Sequence, residues 1–223
     1  MKSAEFWDRQ FFLRRNVYSR GVYAKRNRRL CGLIRAWVDC RRIFEFGGAE
    51  GHLAETILRT CSPVEYAWSD FSPAALSLAS KRLQRHGRRV SLSLLDINEK
   101  FASIPWQNFD TVISTMLEHL ENDRQILQAI PEGTQIILSL PNFPTEDHRR
   151  FFESISQVVS RYGDLLEIRH CEKFSLENWT YFLKRCLARL RLLPGIQKFV
   201  LKAPLSHPHV AFLIIAKRKR PAL

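Results

Sequence analysis

The segment that most constrains the fold is Arg41 to Gly51, which reads RRIFEFGGAEG. An apolar strand start at Ile43-Phe44 leads into a turn with three glycines, and a helical pattern begins at His52. Glycine suits such a turn because the backbone can bend sharply and come close to a ligand that a Cβ atom would obstruct. Strand, glycine-rich turn and helix in this order predict the first half of a βαβ unit of the type that binds nucleotides.

Three further predicted strands end near polar or acidic residues. The second strand closes on Asp70, the third on Asp96, and the fourth runs from Phe109 to Ser114, a little before Glu118-His119. An acidic residue at the tip of the second strand is where a doubly wound fold holds ribose hydroxyls. The chain therefore predicts a nucleoside-binding edge at the carboxyl ends of its strands.

The rest of the chain continues to alternate between helical and strand patterns. Two helices are predicted within residues 4–40, and further helices over 52–60, 73–86, 121–129 and about 145–162. Strands are predicted at 43–46, 64–69, 90–95, 109–114, 134–140, 165–168 and 210–216. The continuous apolar run from Ile136 to Leu140 is typical of a central strand that is buried on both faces. An inserted amphipathic helix over about 175–193 would be a substrate lid, a surface-binding helix or a helix that packs on the core.

Four segments, taken in order, resemble the class I S-adenosylmethionine (SAM) dependent methyltransferases of the type 11 and type 23 groups. They are EFGGAEG, WSDFSPAAL, LLDI and FDTVISTMLEHL, and the resemblance spans roughly residues 40 to 145. It implies an α/β fold: a Rossmann-like, seven-stranded, mostly parallel sheet with helices on both faces and an antiparallel last strand. It also implies a methyltransferase domain over 41–223, preceded by a basic helical extension over 1–40. One departure is Ala49, where the family usually has its middle glycine.

The resemblance implies that SAM is the cofactor and S-adenosylhomocysteine (SAH) its product. Four residues around the first turn are then cofactor-binding: Glu45, Gly47, Ala49 and Gly51. The small residues would let the backbone approach the methionine part of SAM. Glu45 occupies the acidic position that precedes the turn in the family.

Four other residues would hold the nucleoside part of SAM. Asp70 is the candidate for the ribose hydroxyls, and Phe71 would lie against the adenine ring. Asp96 and Ile97 match the position that contacts the adenine amino group in the family. Asp96 has an alternative role as a cap of a helix or turn, because an aspartate side chain accepts hydrogen bonds from backbone N–H groups there.

The candidate catalytic residues are Glu118, His119 and His148. Histidine suits a general base because its unperturbed pKa is roughly 6.5. Glu118-His119 with a distant His148 also resembles part of the metal site of two related groups, the small-RNA 2′-O-methyltransferases and the quinone-pathway O-methyltransferases. Those groups carry Glu-x-x-Glu-His, and here Thr115 breaks that pattern. A divalent metal is therefore the less favoured alternative, and His148 would otherwise pack at the start of its helix.

The composition limits the classes of function. The chain of 223 residues has a formal net charge of +13, with basic residues concentrated from Arg14 to Arg42 and at the end, in Lys217 to Arg220. Such a surface attracts phosphate-bearing partners, or it keeps the protein in solution. The five cysteines form no CxxC pair, which argues against a disulfide framework and indicates a reducing compartment. No apolar run would cross a membrane and no signal peptide is visible, so a cytoplasmic protein is expected.

Three functions remain after these exclusions. The first is transfer of a methyl group from SAM to a hydroxyl or amine of a small-molecule acceptor. The second keeps the reaction but makes RNA the acceptor, through the basic N-terminal region, and the third is a methyltransferase-like fold that only binds a partner. A nicotinamide dehydrogenase ranks last because the turn lacks the Gly-x-Gly-x-x-Gly frame. The sequence leaves the oligomeric state open, and the small-molecule methyltransferase is the favoured interpretation.

Overall fold

A computed structural model of the chain describes residues 3–13, 17–19, 21–142, 148–175 and 210–220. The predicted amphipathic helix over 175–193 lies outside these residues except for Ser175, which ends a strand. Within the described part, no helix is long and apolar enough to span a membrane.

The helices and strands alternate through the domain as the sequence predicts. The helices are α1 (Ala4–Leu13), α2 (Gly21–Trp37), α3 (His52–Thr60), α4 (Pro73–Leu83), α5 (Ile97–Lys100), α6 (Asp123–Ala129) and α7 (Ile155–Tyr162). The strands are β1 (Arg42–Phe46), β2 (Glu65–Asp70), β3 (Val90–Leu94), β4 (Thr111–Ser114), β5 (Gln135–Pro141), β6 (Leu166–Ser175) and β7 (Val210–Arg218).

The seven strands form one sheet in the order β3-β2-β1-β4-β5-β7-β6. The first five strands pair in parallel, and β7 pairs antiparallel with both β5 and β6. The strand order reverses between β1 and β4, which is where open sheets of this kind bind ligands. The predicted fold class, including the antiparallel last strand, is confirmed.

Two hydrophobic cores cover the two faces of the sheet. One core packs the four helices α1, α2, α3 and α4 against one face of the sheet, through residues such as Leu30, Ile34 and Ile57. The other packs α5 to α7 against the opposite face through residues such as Leu127 and Val158. Alternate side chains of β4 belong to different cores, Val112 to one and Ile113 to the other, as the twofold repeat of a strand requires.

The predicted helix over 145–162 is wrong in its first part, because residues 148–154 are not helical. The backbone N–H groups of this segment are used elsewhere: Arg149 N donates to Glu118 O at 3.2 Å and Phe152 N to Pro141 O at 3.1 Å. The helix begins at Ile155, where the Ser154 hydroxyl caps it by accepting from Gln157 N. The segment that carries His148 is therefore fastened to the ends of β4 and β5.

Candidate active site

The turn after β1 adopts a backbone that requires small residues. Gly47, Ala49 and Gly51 have φ angles of 69°, 50° and 74°, in the left-handed region that glycine adopts most readily. A Cβ atom on Gly47 would lie 1.7 Å from Met116 Sδ, and one on Gly48 would lie 1.9 Å from Trp68 Nε1. The turn thus lies directly against Met116, which follows β4, and against Trp68, in β2, and glycine is needed at both positions.

The carboxylate of Asp70 holds the tip of β2 to this turn. Its Oδ2 accepts from Ala49 N at 2.9 Å and its Oδ1 from Ser72 N at 3.0 Å. Burial raises the pKa of Asp70 to about 6, although the hydrogen bonds from Ser72 and Ala49 oppose that rise. Asp70 lies where the sequence placed it, and its ribose contact stays a prediction.

Glu45 is buried at the end of β1. The Tyr66 hydroxyl donates to Glu45 Oε2 at 2.9 Å, and burial raises the pKa of Glu45 to about 8. Tyr66 is a partner that the sequence analysis missed. The parallel register of β1 and β2, which pairs Ile43 with Tyr66, is the feature that brings the two side chains together.

A pocket lies beside the turn, and its lining includes Gly47, Phe71, Asp96, Ile97 and Met116. Four of these five residues are predicted cofactor contacts. Asp96 Oδ1 also accepts from Asn98 N at 2.9 Å and so caps α5. The two roles considered for Asp96 are therefore compatible, since a capping residue at the carboxyl end of β3 also borders the pocket.

The three predicted catalytic residues come together at the carboxyl ends of β4 and β5. Glu118 Oε1 lies 3.6 Å from His119 Nε2 and 3.9 Å from His148 Nε2, and the two imidazole rings are 4.8 Å apart. The Glu118 side chain is 4% exposed, and burial raises its pKa to about 8. The alternative in which His148 packs at the start of its helix is wrong, because the helix starts seven residues later, at Ile155.

Helix α1 covers this edge of the sheet. The Trp7 ring stands edge-on to the His119 ring with centroids 5.6 Å apart. Asp8 Oδ1 accepts from the Ser72 hydroxyl and, at 3.1 Å, from Ala74 N in the first turn of α4. The sequence gives no sign that Asp8 has this role, and only the Ser72-Pro73 start of a helix indicates that a cap is needed there.

These features define a doubly wound α/β domain with a pocket at the carboxyl ends of its strands. Residues 44–132 match a family model described as a methyltransferase domain. The sheet topology agrees with this match, so that segment is similar to a class I SAM-dependent methyltransferase domain. No curated protein matches the sequence at a significant level.

Solved structures with the same fold cover most of the chain at low identity. A SAM-dependent methyltransferase from Geobacter sulfurreducens, solved with SAH, aligns with a TM-score of 0.59 and 14% identity over 88% of this chain and 91% of its own. The N-methyltransferase NodS from Bradyrhizobium japonicum, also solved with SAH, aligns at 0.57 and 13% identity over 89% and 88%. The [4+2]-cyclase SpnF aligns at 0.59 and 14% identity over 88% and 82%. At these identities the likeness concerns the fold.

Proposed function

We propose that the protein transfers a methyl group from SAM to a hydroxyl or amine of a small-molecule acceptor. The observation that carries this proposal is the position of Glu118, His119 and His148. Met116, two residues before Glu118, touches Gly47 of the glycine turn. The proton-accepting groups therefore lie next to the turn at which SAM is proposed to bind.

The proposed cofactor site follows the pocket and the turn. Gly47, Ala49 and Gly51 admit the methionine part, and Asp70 accepts from the ribose hydroxyls. Phe71, Asp96 and Ile97 surround the adenine. Two of the structural neighbours were solved with SAH, which supports the same cofactor for this chain.

The chemistry is an in-line displacement. A lone pair of the acceptor oxygen or nitrogen attacks the methyl carbon, the carbon–sulfur bond breaks, and its electron pair stays on sulfur to give SAH. The acceptor's proton passes to a group of the Glu118-His119-His148 cluster or through it to water. Most of the rate enhancement comes from holding the two reactants close and aligned.

The test is transfer of labelled methyl from SAM into a host extract that is then separated into small-molecule, RNA, protein and lipid fractions. We expect label in the small-molecule fraction with the parent protein. H119A should lower the transfer rate by about 10²-fold or more while SAM affinity stays within a few-fold, because proton transfer contributes on that scale. H170A, which removes a histidine on β6, is the matched control, and equal rates for H119A and H170A would exclude His119 as a catalytic residue.

RNA is a second candidate acceptor because several basic residues of α2, among them Lys25, Arg28 and Arg35, are exposed. Label in the RNA fraction, with binding that falls steeply with salt, would establish it. SpnF shares the fold and is a cyclase, so the fold alone does not determine methyl transfer. SAM binding without label in any fraction would favour a protein that only binds a partner.

A further inference from the structure

We propose that Arg26, together with the hydroxyl groups of Tyr18 and Tyr23, binds an acidic group of the methyl acceptor, so that the acceptor is an anion. This inference rests on the proposed function, because it names the chemical class of its acceptor. Tyr18 lies in the 3₁₀ turn Val17–Ser19, and Tyr23 and Arg26 lie in the first half of α2. All three residues therefore precede the first strand.

The three side chains form one group. Residues three apart on a helix lie on the same face, and the Arg26 guanidinium carbon is 5.4 Å from the centre of the Tyr23 ring. A guanidinium at this distance is attracted to the face of an aromatic ring. The Tyr23 ring in turn meets the Tyr18 ring edge-on, with centroids 4.9 Å apart. The two rings thus hold the cation in place without a negative charge.

The Arg26 guanidinium lies near two buried carboxyl groups of the candidate active site. Burial raises the pKa of both Glu45 and Glu118 to about 8, and the positive charge of Arg26 opposes the rise in each. Glu45 belongs to the end of β1, and Glu118 follows β4. A ligand group bound at Arg26 is therefore close to the edge of the sheet at which methyl transfer is proposed.

A row of aromatic rings also connects this group with His119. The Tyr18 ring lies 6.3 Å from the Phe11 ring, and the Phe11 ring lies 6.4 Å from the Trp7 ring, between centroids. The Trp7 ring stands edge-on to His119, as described above. One packed set of side chains thus holds both the cation and the candidate catalytic imidazole.

Arg26 has no carboxylate partner among the described residues. Its Nε and Nη2 both donate to Asn27 Oδ1, at 3.3 and 3.2 Å. Arg29, one turn further along α2, instead donates twice to the Glu172 carboxylate, at 2.6 and 2.5 Å. Burial lowers the pKa of Arg26 from its ordinary value, because the cation has lost water that no anion replaces. An anionic ligand would stabilise it.

The two tyrosine hydroxyls add donors beside the guanidinium. Both oppose the burial that lowers the pKa of Arg26, so both lie near it, and neither has a hydrogen-bond partner in the described part of the chain. A guanidinium fork binds the paired oxygens of a carboxylate or a phosphate. SAM itself has a carboxylate, but the proposed cofactor site holds its methionine part at the glycine turn. The group therefore suits an acceptor with a carboxylate or a phosphate.

The experiment is transfer of labelled methyl from SAM into the small-molecule fraction of a host extract, with the product separated by anion exchange. We expect the exchanger to retain the label, and its release by phosphatase would identify a phosphate rather than a carboxylate. R26Q should raise at least tenfold the amount of extract that gives half the maximal rate, while SAM affinity in calorimetry stays within a few-fold. R29Q, on the same helix, is the matched control and should behave like the parent.

A second variant keeps the test decisive if R26Q does not fold. R26K retains the positive charge but lacks the planar fork that binds two oxygens. We expect it to raise the half-maximal amount of extract by a smaller factor than R26Q, at least threefold over the parent. Circular dichroism checks the fold of each variant, and a parent-like value for folded R26K and R26Q would contradict the proposed contact.

The outcomes separate this inference from the proposed function. Labelled small molecules that pass through the anion exchanger, or equal values for R26Q and R29Q, would overturn the anionic acceptor and leave methyl transfer standing. Loss of SAM binding in R26Q would assign Arg26 to the cofactor and would also overturn it. No label in the small-molecule fraction with the parent would contradict the proposed function, and this inference with it.

Discussion

At the scale of single residues, the glycine turn contains one residue that does not suit its conformation. Ala49 has a φ angle of 50°, between two glycines that are also left-handed. A left-handed backbone costs a residue with a Cβ atom roughly 1–2 kcal/mol. Asp70 compensates by accepting from Ala49 N at 2.9 Å. The sequence shows that Ala49 replaces the usual glycine, but it does not show that the Asp70 carboxylate accepts from the Ala49 backbone N–H.

We expect A49G to raise the free energy of unfolding by about 0.5–1 kcal/mol. Relief of the left-handed strain exceeds the entropy that glycine adds to the unfolded chain. Urea denaturation measures the change. A24G, at the fourth residue of α2, is the control and should lower stability by up to about 1 kcal/mol. A similar loss in A49G would show that Ala49 is unstrained.

Glu45 gives a pH dependence with a definite sign. Burial raises its pKa from an ordinary 4.5 to about 8. Between these values the folded carboxyl keeps its proton while the unfolded one loses it, so the stability that Glu45 contributes below pH 4.5 is lost as pH rises towards 8. The Tyr66 hydroxyl can still donate to a glutamine in its place.

We therefore expect the free energy of unfolding of E45Q, relative to that of the parent, to rise by at least about 1 kcal/mol as the pH increases from 5 to 8. Chemical denaturation of the cofactor-free protein at several pH values measures this difference. E65Q changes an exposed carboxyl at the start of β2 and is the control. A constant difference between E45Q and the parent across this range would mean that Glu45 is ionised in the fold.

At the scale of elements, helix α1 is joined to the domain through a cap. Asp8 accepts from the Ser72 hydroxyl and from Ala74 N, at the start of α4. D8A should lower the free energy of unfolding by about 1 kcal/mol, the usual loss for a cap, and should speed hydrogen exchange in α1. E5A on an exposed position of α1 is the matched control. Equal exchange in the two variants would show that Asp8 does not hold the helix.

The elements themselves were largely predictable, and the exceptions have a physical cause. Helix α3 has the predicted bounds 52–60 because the glycine turn and an amphipathic pattern mark it locally. Residues 148–154 do not form a helix because Arg149 N and Phe152 N donate hydrogen bonds to the distant carbonyls of Glu118 and Pro141. Such long-range hydrogen bonds leave no signal in the neighbouring sequence.

At the scale of the whole molecule, the order of strands determines which residues meet. Parallel strands end at one edge, so Asp70, Asp96 and Glu118 could be assigned to a common edge from the sequence alone. The distances from Glu118 to His119 and His148 could not be predicted from the sequence, since the position of His148 depends on which backbone groups the segment after β5 binds. The position of α1 over that edge was also beyond the sequence, because helix periodicity gives a buried face but not its partner.

Calorimetric titration with SAM tests whether the pocket beside the glycine turn binds the cofactor. We expect one molecule of SAM per chain in the parent and no measurable binding in D70A, with the fold of D70A checked by circular dichroism. D164A removes a carboxylate that pairs on the surface with Arg124 at 3.0 Å and should bind like the parent. Unchanged affinity in D70A, or no binding by the parent, would show that SAM does not bind at Asp70.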